Sequence, residues 1–182
     1  RAEVSASSEG SYKDQPMPAD NVTDGFSRLD RADPHAWRPE GEASGPHWVE
    51  LNWQEPVTFN MVHVYFQTRE LAPSRFSVQA WKDGEWETLT EVALNRHRRH
   101  VLGVDHTTTK RLRVVVSEAQ GICAVRVYDA PESVVESARR AHKTMRRPDE
   151  GPFLPWREAG ELEADLGLPG VVVDAPRMWS QA

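Results

Sequence analysis

The run Asn95-Arg96-His97-Arg98-Arg99-His100 stands out as a concentration of recognition chemistry. A guanidinium offers a rigid fork of donors suited to vicinal hydroxyls or to the carboxylate of a uronic or sialic residue. The competing reading is a solvated hairpin tip. Chemistry of the bond-breaking kind is hard to find. No nucleophile stands at recognisable spacing from a base, no glycine-rich phosphate loop is present, and no acid pair can be read from spacing. Cys123 sits in the apolar run "GICAVRVY" and reads as a small core residue, and one cysteine makes no disulfide framework. Seven histidines are scattered, with no HExxH, CxxC or EF-hand loop. The chain by itself is expected to be no enzyme, although it can be part of a larger one.

Binding residues need a frame, and the frame is sheet. In "HWVELNW", Val49, Leu51 and Trp53 share one face and Trp48, Glu50 and Asn52 the other, the period of a half-buried strand. After a Gln-Glu-Pro break, "TFNMVHVYFQ" is apolar on both faces, which places it in the middle of a sandwich. Further strands are expected at "EVSAS", "RFSVQAWK", "EWETLTEV", "RRHVLGV", "RLRVVVS" and "ICAVRVYD", with Asp83-Gly84 as a hairpin turn. The class is all-β, an antiparallel β-sandwich jelly roll over residues 1–130. A helix follows over 131–148, with Asp129 as N-cap, Glu132 completing a capping box, Val134, Ala138, Ala141 and Met145 as its apolar stripe, and Pro148 as its stop. Its second half is basic (Arg139, Arg140, His142, Lys143, Arg146, Arg147), matching the negative end of the helix dipole and reading as a solvated face. Residues 149–182 form an irregular tail, rich in proline, acids and large apolar groups such as Trp156 and Trp179, expected to pack on the sandwich or on a neighbouring domain.

The whole chain has 182 residues, enough for one domain and an appendage. Its formal charge of -6 argues against nucleic acid as a partner. No apolar run approaches the ~20 residues that span a bilayer, so no membrane partner is expected. The first residue, Arg1, suggests a processed chain or a piece of a larger protein.

In their order, "NVTDG", Trp37, "HWVELNW", "SVQAWKDGEWETL", "RLRVVV" and "CAVRVYD" resemble the discoidin family, also called the coagulation-factor type C or galactose-binding-like domain. That family includes many bacterial carbohydrate-binding modules, and the resemblance covers about residues 3–129. Many members hold a structural calcium through loop carbonyls, the Asp-Gly aspartate, a threonine and a glutamate. Here Asp24 stands at the aspartate position, but Ala36 and Ala124 stand at the other two. Calcium wants six to eight oxygens, so the loss of two protein ligands argues against a tight site, with Asp24 the one candidate ligand left; no other cofactor is implied. The missing disulfide of the animal members points to a bacterial module, secreted or at the cell surface.

The resemblance implies that ligands bind on loops at one end of the sandwich, with an aromatic ring under a sugar and Arg, His or Asn at its hydroxyls. The candidate residues are then His35, Trp37 and Arg38 in the first long loop, Arg69 and Glu70 after the central strand, and Arg96, His97 and Arg98. Trp37 also matches a position often packed in the core. The expected function is a non-catalytic carbohydrate-binding module accessory to a larger glycan-active enzyme, its partners a glycan and a linked or docked catalytic domain. The alternative is a structural terminal domain of a glycoside hydrolase or flavin-linked oxidoreductase without a ligand of its own. Phospholipid binding would need apolar spikes, for which Phe26 and Leu29 are the candidates. The sequon Asn21-Val22-Thr23 lies inside "NVTDG" and is accounted for by loop chemistry.

Overall fold

The computed structural model describes residues 2–28, 34–41 and 46–145. The strands are β1 (Glu3–Ala6), β2 (Gly10–Tyr12), β3 (Gln15–Met17), β4 (His47–Phe66), β5 (Phe76–Lys82), β6 (Glu85–Val92), β7 (Arg99–Val116) and β8 (Ile122–Tyr128). A 3-10 turn, Ala19–Thr23, follows β3, and one helix, α1 (Glu132–Met145), closes the described chain. The tail expected over 149–182, and the stop expected at Pro148, lie outside the described residues.

Two long antiparallel strands organise everything else. β4 and β7 pair from His47↔Val116 to Tyr65↔Arg99, with register shifts between Asn52 and Val57 and between Phe59 and Met61. The pairs of strands expected at "HWVELNW" and "TFNMVHVYFQ", and at "RRHVLGV" and "RLRVVVS", are therefore single continuous strands. Pro56 lies inside the first shift, where an irregular ladder tolerates a residue without an N–H. The first half of β4 pairs with β1 and the second with β8, while β5 and β6 extend the sheet beyond the second half of β7. The shared strands bend, so the two halves lie over one another as the layers of an antiparallel sandwich.

Between the layers lies one core. Val49, Leu51, Phe76, Val78, Ala80, Leu112, Val114 and Val116 meet Phe59, Val62, Val64, Phe66, Leu102, Val104, Ile122 and Val125 there. The core face of β4 changes parity at the second shift, from Phe59 to Val62, Val64 and Phe66, because a bulge inserts one residue. That switch turns Met61, His63 and Tyr65 to the outer face of the sheet, where Met61 and Tyr65 are still buried. The β5–β6 hairpin turns at Asp83 and Gly84, both with positive φ (50° and 90°), as its sequence predicts.

Helix α1 packs on β7 with Val135 and Ala138 buried, whereas Val134 is 48% exposed. The expected stripe thus keeps Ala138 but starts at Val135 in place of Val134. The cause is local: Gly103 leaves room for the helix backbone, and a Cβ there would lie 2.7 Å from Val135 O. Arg139 locks this seat, donating to Val104 O and Asp105 Oδ1, both at 2.8 Å, and to Glu136 Oε1 at 2.7 Å. Asp129 does not open the helix. Its carboxylate meets His106 Nε2 at 3.2 Å, and the first turn bonds instead to Pro131 O.

Candidate functional site

Several loops meet where β4 ends and β7 begins. Phe66 N donates to Arg98 O at 2.7 Å, Gln67 N to Gly121 O at 3.3 Å, and Asn95 N to Ser74 O at 2.8 Å. The Asn95 side chain ties this rim together: its Nδ2 donates to Pro73 O, and its Oδ1 accepts from His97 N and faces His100 Nε2 at 2.8 Å. His100 lies beneath, edge-on to Phe66 and Phe76. Burial pushes its pKa down to about 4, with the neighbouring His97 and His142 adding to the shift. Arg69 and Arg96 are exposed on the rim. Arg69 stands close enough to His97 for its charge to add to the burial that lowers the His97 pKa.

The second group grows from the Asp24-Gly25 loop. Asp24 Oδ1 accepts the amide of Phe26 at 2.8 Å, and Asp24 Oδ2 pairs with His35 Nδ1 at 2.8 Å. The His35 ring then stacks on Phe26, centroids 3.8 Å apart and 18° from parallel. His35 sits at φ +36°, a left-handed backbone that costs on the order of 1 kcal/mol and persists only where surroundings hold it. Phe26 is 53% exposed, so its outer face is open. Its flanking carbonyls are also fixed: Arg126 Nη2 donates to Gly25 O at 2.8 Å and Arg98 Nη1 to Ser27 O at 2.6 Å. Arg98 thereby joins the first loop to the run before β7.

Trp37 is a correction. It is 0% exposed, bridges to Ile122 through its backbone, and donates Nε1 to Ser8 O at 2.9 Å, so it presents no face to a ligand. A large ring in the middle of the core is worth more there than at a rim. Arg38 points elsewhere, its guanidinium 5.6 Å from the centroid of Tyr12. Cys123 is buried and free, its thiol pushed up to about 12 by burial, which makes it inert. Asn21 uses its Nδ2 to hold Ala36 O at 2.9 Å, the loop role foreseen for the sequon.

The described residues do not fit the calcium site that the resemblance implies. Ala36 and Ala124 lie buried in an apolar cluster with Met17, Tyr65 and Cys123, and both oxygens of Asp24 are already engaged by nitrogen groups. Leu29 lies outside the described residues. Sequence reasoning passed over Phe26 as a ligand platform and missed Tyr65 and Arg126 altogether. The position of Phe26 directly after Asp24-Gly25 was the available signal.

A family described as the F5/8 type C domain matches residues 3–127. Among solved structures, the chain is similar to a chitosan-binding module in complex with chitotriose, from a chitosanase/glucanase of Paenibacillus sp. IK-5. Identity is 17%, coverage 70% of this chain and 95% of that one, and the TM-score 0.56. It is also similar to the family 32 carbohydrate-binding module of C. perfringens NanJ in complex with galactose, at 14% identity, 70% and 93% coverage and a TM-score of 0.57. A third likeness is to SpGH29, at 21% identity and a TM-score of 0.55; the match covers 71% of this chain but only 27% of that one. At such identities the likeness is one of fold. No curated protein matches the chain.

Proposed function

The chain belongs to the F5/8 type C domain family, and on that premise we propose that it is a non-catalytic carbohydrate-binding module that holds a sugar ring on Phe26. The observation that carries this reading is the Phe26–His35–Asp24 stack. An exposed ring, backed by a second ring and fixed by a carboxylate, is preorganised, so little entropy is lost when a ligand settles on it. A pyranose offers such a ring its C–H face. Its hydroxyls need donors around the edge, and the exposed candidates are Arg96 and His97, next to the Arg98 that bonds Ser27 O, and Arg69, whose charge acts on His97 from the loop after β4.

A single shallow sugar contact gives roughly millimolar affinity, about -4 kcal/mol. Such a module works by raising the effective concentration of an attached enzyme on a polymeric glycan. We place it as an accessory domain of a secreted or cell-surface bacterial glycan-active enzyme. The second reading is a docking domain without a ligand; the likeness to 27% of the longer SpGH29 chain suits attachment to a larger protein under either reading.

A glycan array followed by titration calorimetry tests the choice. Binding to a defined glycan, lost in Phe26→Ala while the circular dichroism spectrum is unchanged, is the expected result. Silence across neutral and acidic glycans would leave only the docking domain.

A further inference from the structure

Tyr65, near the end of β4, has three guanidiniums around its ring. Arg98, Arg99 and Arg126 place their charge centres 6.0, 5.7 and 5.5 Å from its centroid. Like charges gathered this closely repel unless something offsets them. Elsewhere in the chain carboxylates do so: Glu50 grips Arg111 with both oxygens, Glu91 faces Arg75, and Asp105, Glu132 and Glu136 surround Arg139. Around Tyr65 they do not. Among the described residues, Arg98, Arg99 and Arg126 have no carboxylate within ion-pair distance, in a chain whose net charge is -6.

Arg98 and Arg126 are held in place by the carbonyls of Ser27 and Gly25, one N–H each, and among the described residues the remaining donors of both forks make no other hydrogen bond. Arg99 is exposed and lies across the strand pair from Tyr65, with its guanidinium over that ring. The field of the group is felt next door. His63, which faces Tyr65 and Tyr128, has its pKa lowered by burial first and then by the charges of Arg99 and Arg126. Gly25 and Ser27 flank Phe26, so the charged patch and the open aromatic ring are contiguous.

We infer that Arg98, Arg99 and Arg126 form an anion subsite beside the Phe26 platform, and that the glycan recognised is an acidic one carrying uronate carboxylates. The inference rests on the carbohydrate-binding reading above and names its substrate class. A uronate has both parts of the required chemistry, an apolar ring face for Phe26 and a carboxylate for the forks. A neutral sugar offers the three guanidiniums no opposite charge. A nucleic acid would meet the acidic remainder of the chain.

Affinity electrophoresis of the chain in gels containing polygalacturonate, and in parallel gels containing neutral galactan, tests this. Arg99 is the residue to change, because Arg98 and Arg126 also hold the Phe26 loop. The wild type is expected to be retarded more by polygalacturonate, with retardation falling as salt rises. Arg99→Glu should weaken binding to polygalacturonate about tenfold and Arg99→Lys much less, with galactan binding changed by less than about twofold. Galactan binding with no preference for polygalacturonate, or a preference that Arg99→Glu does not reduce, overturns the anion subsite and leaves the carbohydrate-binding reading standing. Failure to bind either polysaccharide overturns the anion subsite, and the glycan array then decides whether the carbohydrate-binding reading falls with it. Sedimentation with vesicles of equal parts phosphatidylcholine and phosphatidylserine, with neither polysaccharide bound, would reassign the patch to a lipid headgroup.

Discussion

Asp24 binds His35 through one carboxylate oxygen and the amide of Phe26 through the other, both at 2.8 Å. Both oxygens of Asp24 are thus engaged by nitrogen groups, and the guanidiniums of Arg98 and Arg126 hold the flanking carbonyls of the loop. Millimolar calcium and excess EDTA should therefore leave the melting temperature unchanged within about 1 °C, because an ion that does not bind the native state cannot stabilise it. A calcium-dependent rise of several degrees would show that Asp24 can exchange its partners for the ion.

Two aromatic residues of the same loop region should behave in opposite ways. Trp37→Ala removes a fully buried ring and is expected to cost about 3–5 kcal/mol of stability. Phe26→Ala removes an exposed ring and should cost less than about 1 kcal/mol while weakening glycan binding roughly tenfold. Urea unfolding and calorimetry on the two variants separate core from platform. A Phe26→Ala protein that unfolds as easily as Trp37→Ala would show the ring to be structural.

The contact of α1 with β7 depends on a missing Cβ. Gly103→Ala places a methyl 2.7 Å from Val135 O and 2.9 Å from Arg139 Cγ, so the helix must move outward. Overpacking of this kind costs about 1–3 kcal/mol. Thermal denaturation followed at a helix-sensitive wavelength should register the loss. An unchanged midpoint would mean that α1 contributes little to holding the sandwich.

Acid should weaken the fold through His100. Its pKa in the folded chain is about 4, against 6.5 for the free side chain, so between those values the unfolded chain binds more protons. The stabilisation is complete above pH 6.5 and is lost as pH falls toward 4, an effect of up to about 3 kcal/mol. His97 is shifted in the same direction, by burial and by Arg69, and adds to the slope. Urea midpoints measured across this window should fall with pH for the wild type and fall less for His100→Phe, which suits the neighbouring Phe66 and Phe76 rings. A flat wild-type profile would contradict the assignment.

What the residues declared unaided was local. Period-two alternation in "HWVELNW" put Val49 and Leu51 inside, Asp83-Gly84 announced its turn, the run around Cys123 read as core, and the order of the motifs pointed to the family. Each is a property of neighbours along the chain, where side-chain alternation and backbone preference act directly. The parity switch in β4 was invisible, because a bulge is a compromise between two strands and not a preference of one. From that switch follows the outward turn of His63 and Tyr65, and from the pairing His63↔Arg126 follows the place of Arg126 beside Tyr65. The bond from Arg126 to Gly25 spans 101 residues. The type of each arginine was plain in the sequence, but only the bent, paired strands could bring residues 25–27, 65, 98, 99 and 126 together, since charge proximity across such separations is set by strand register and by nothing local.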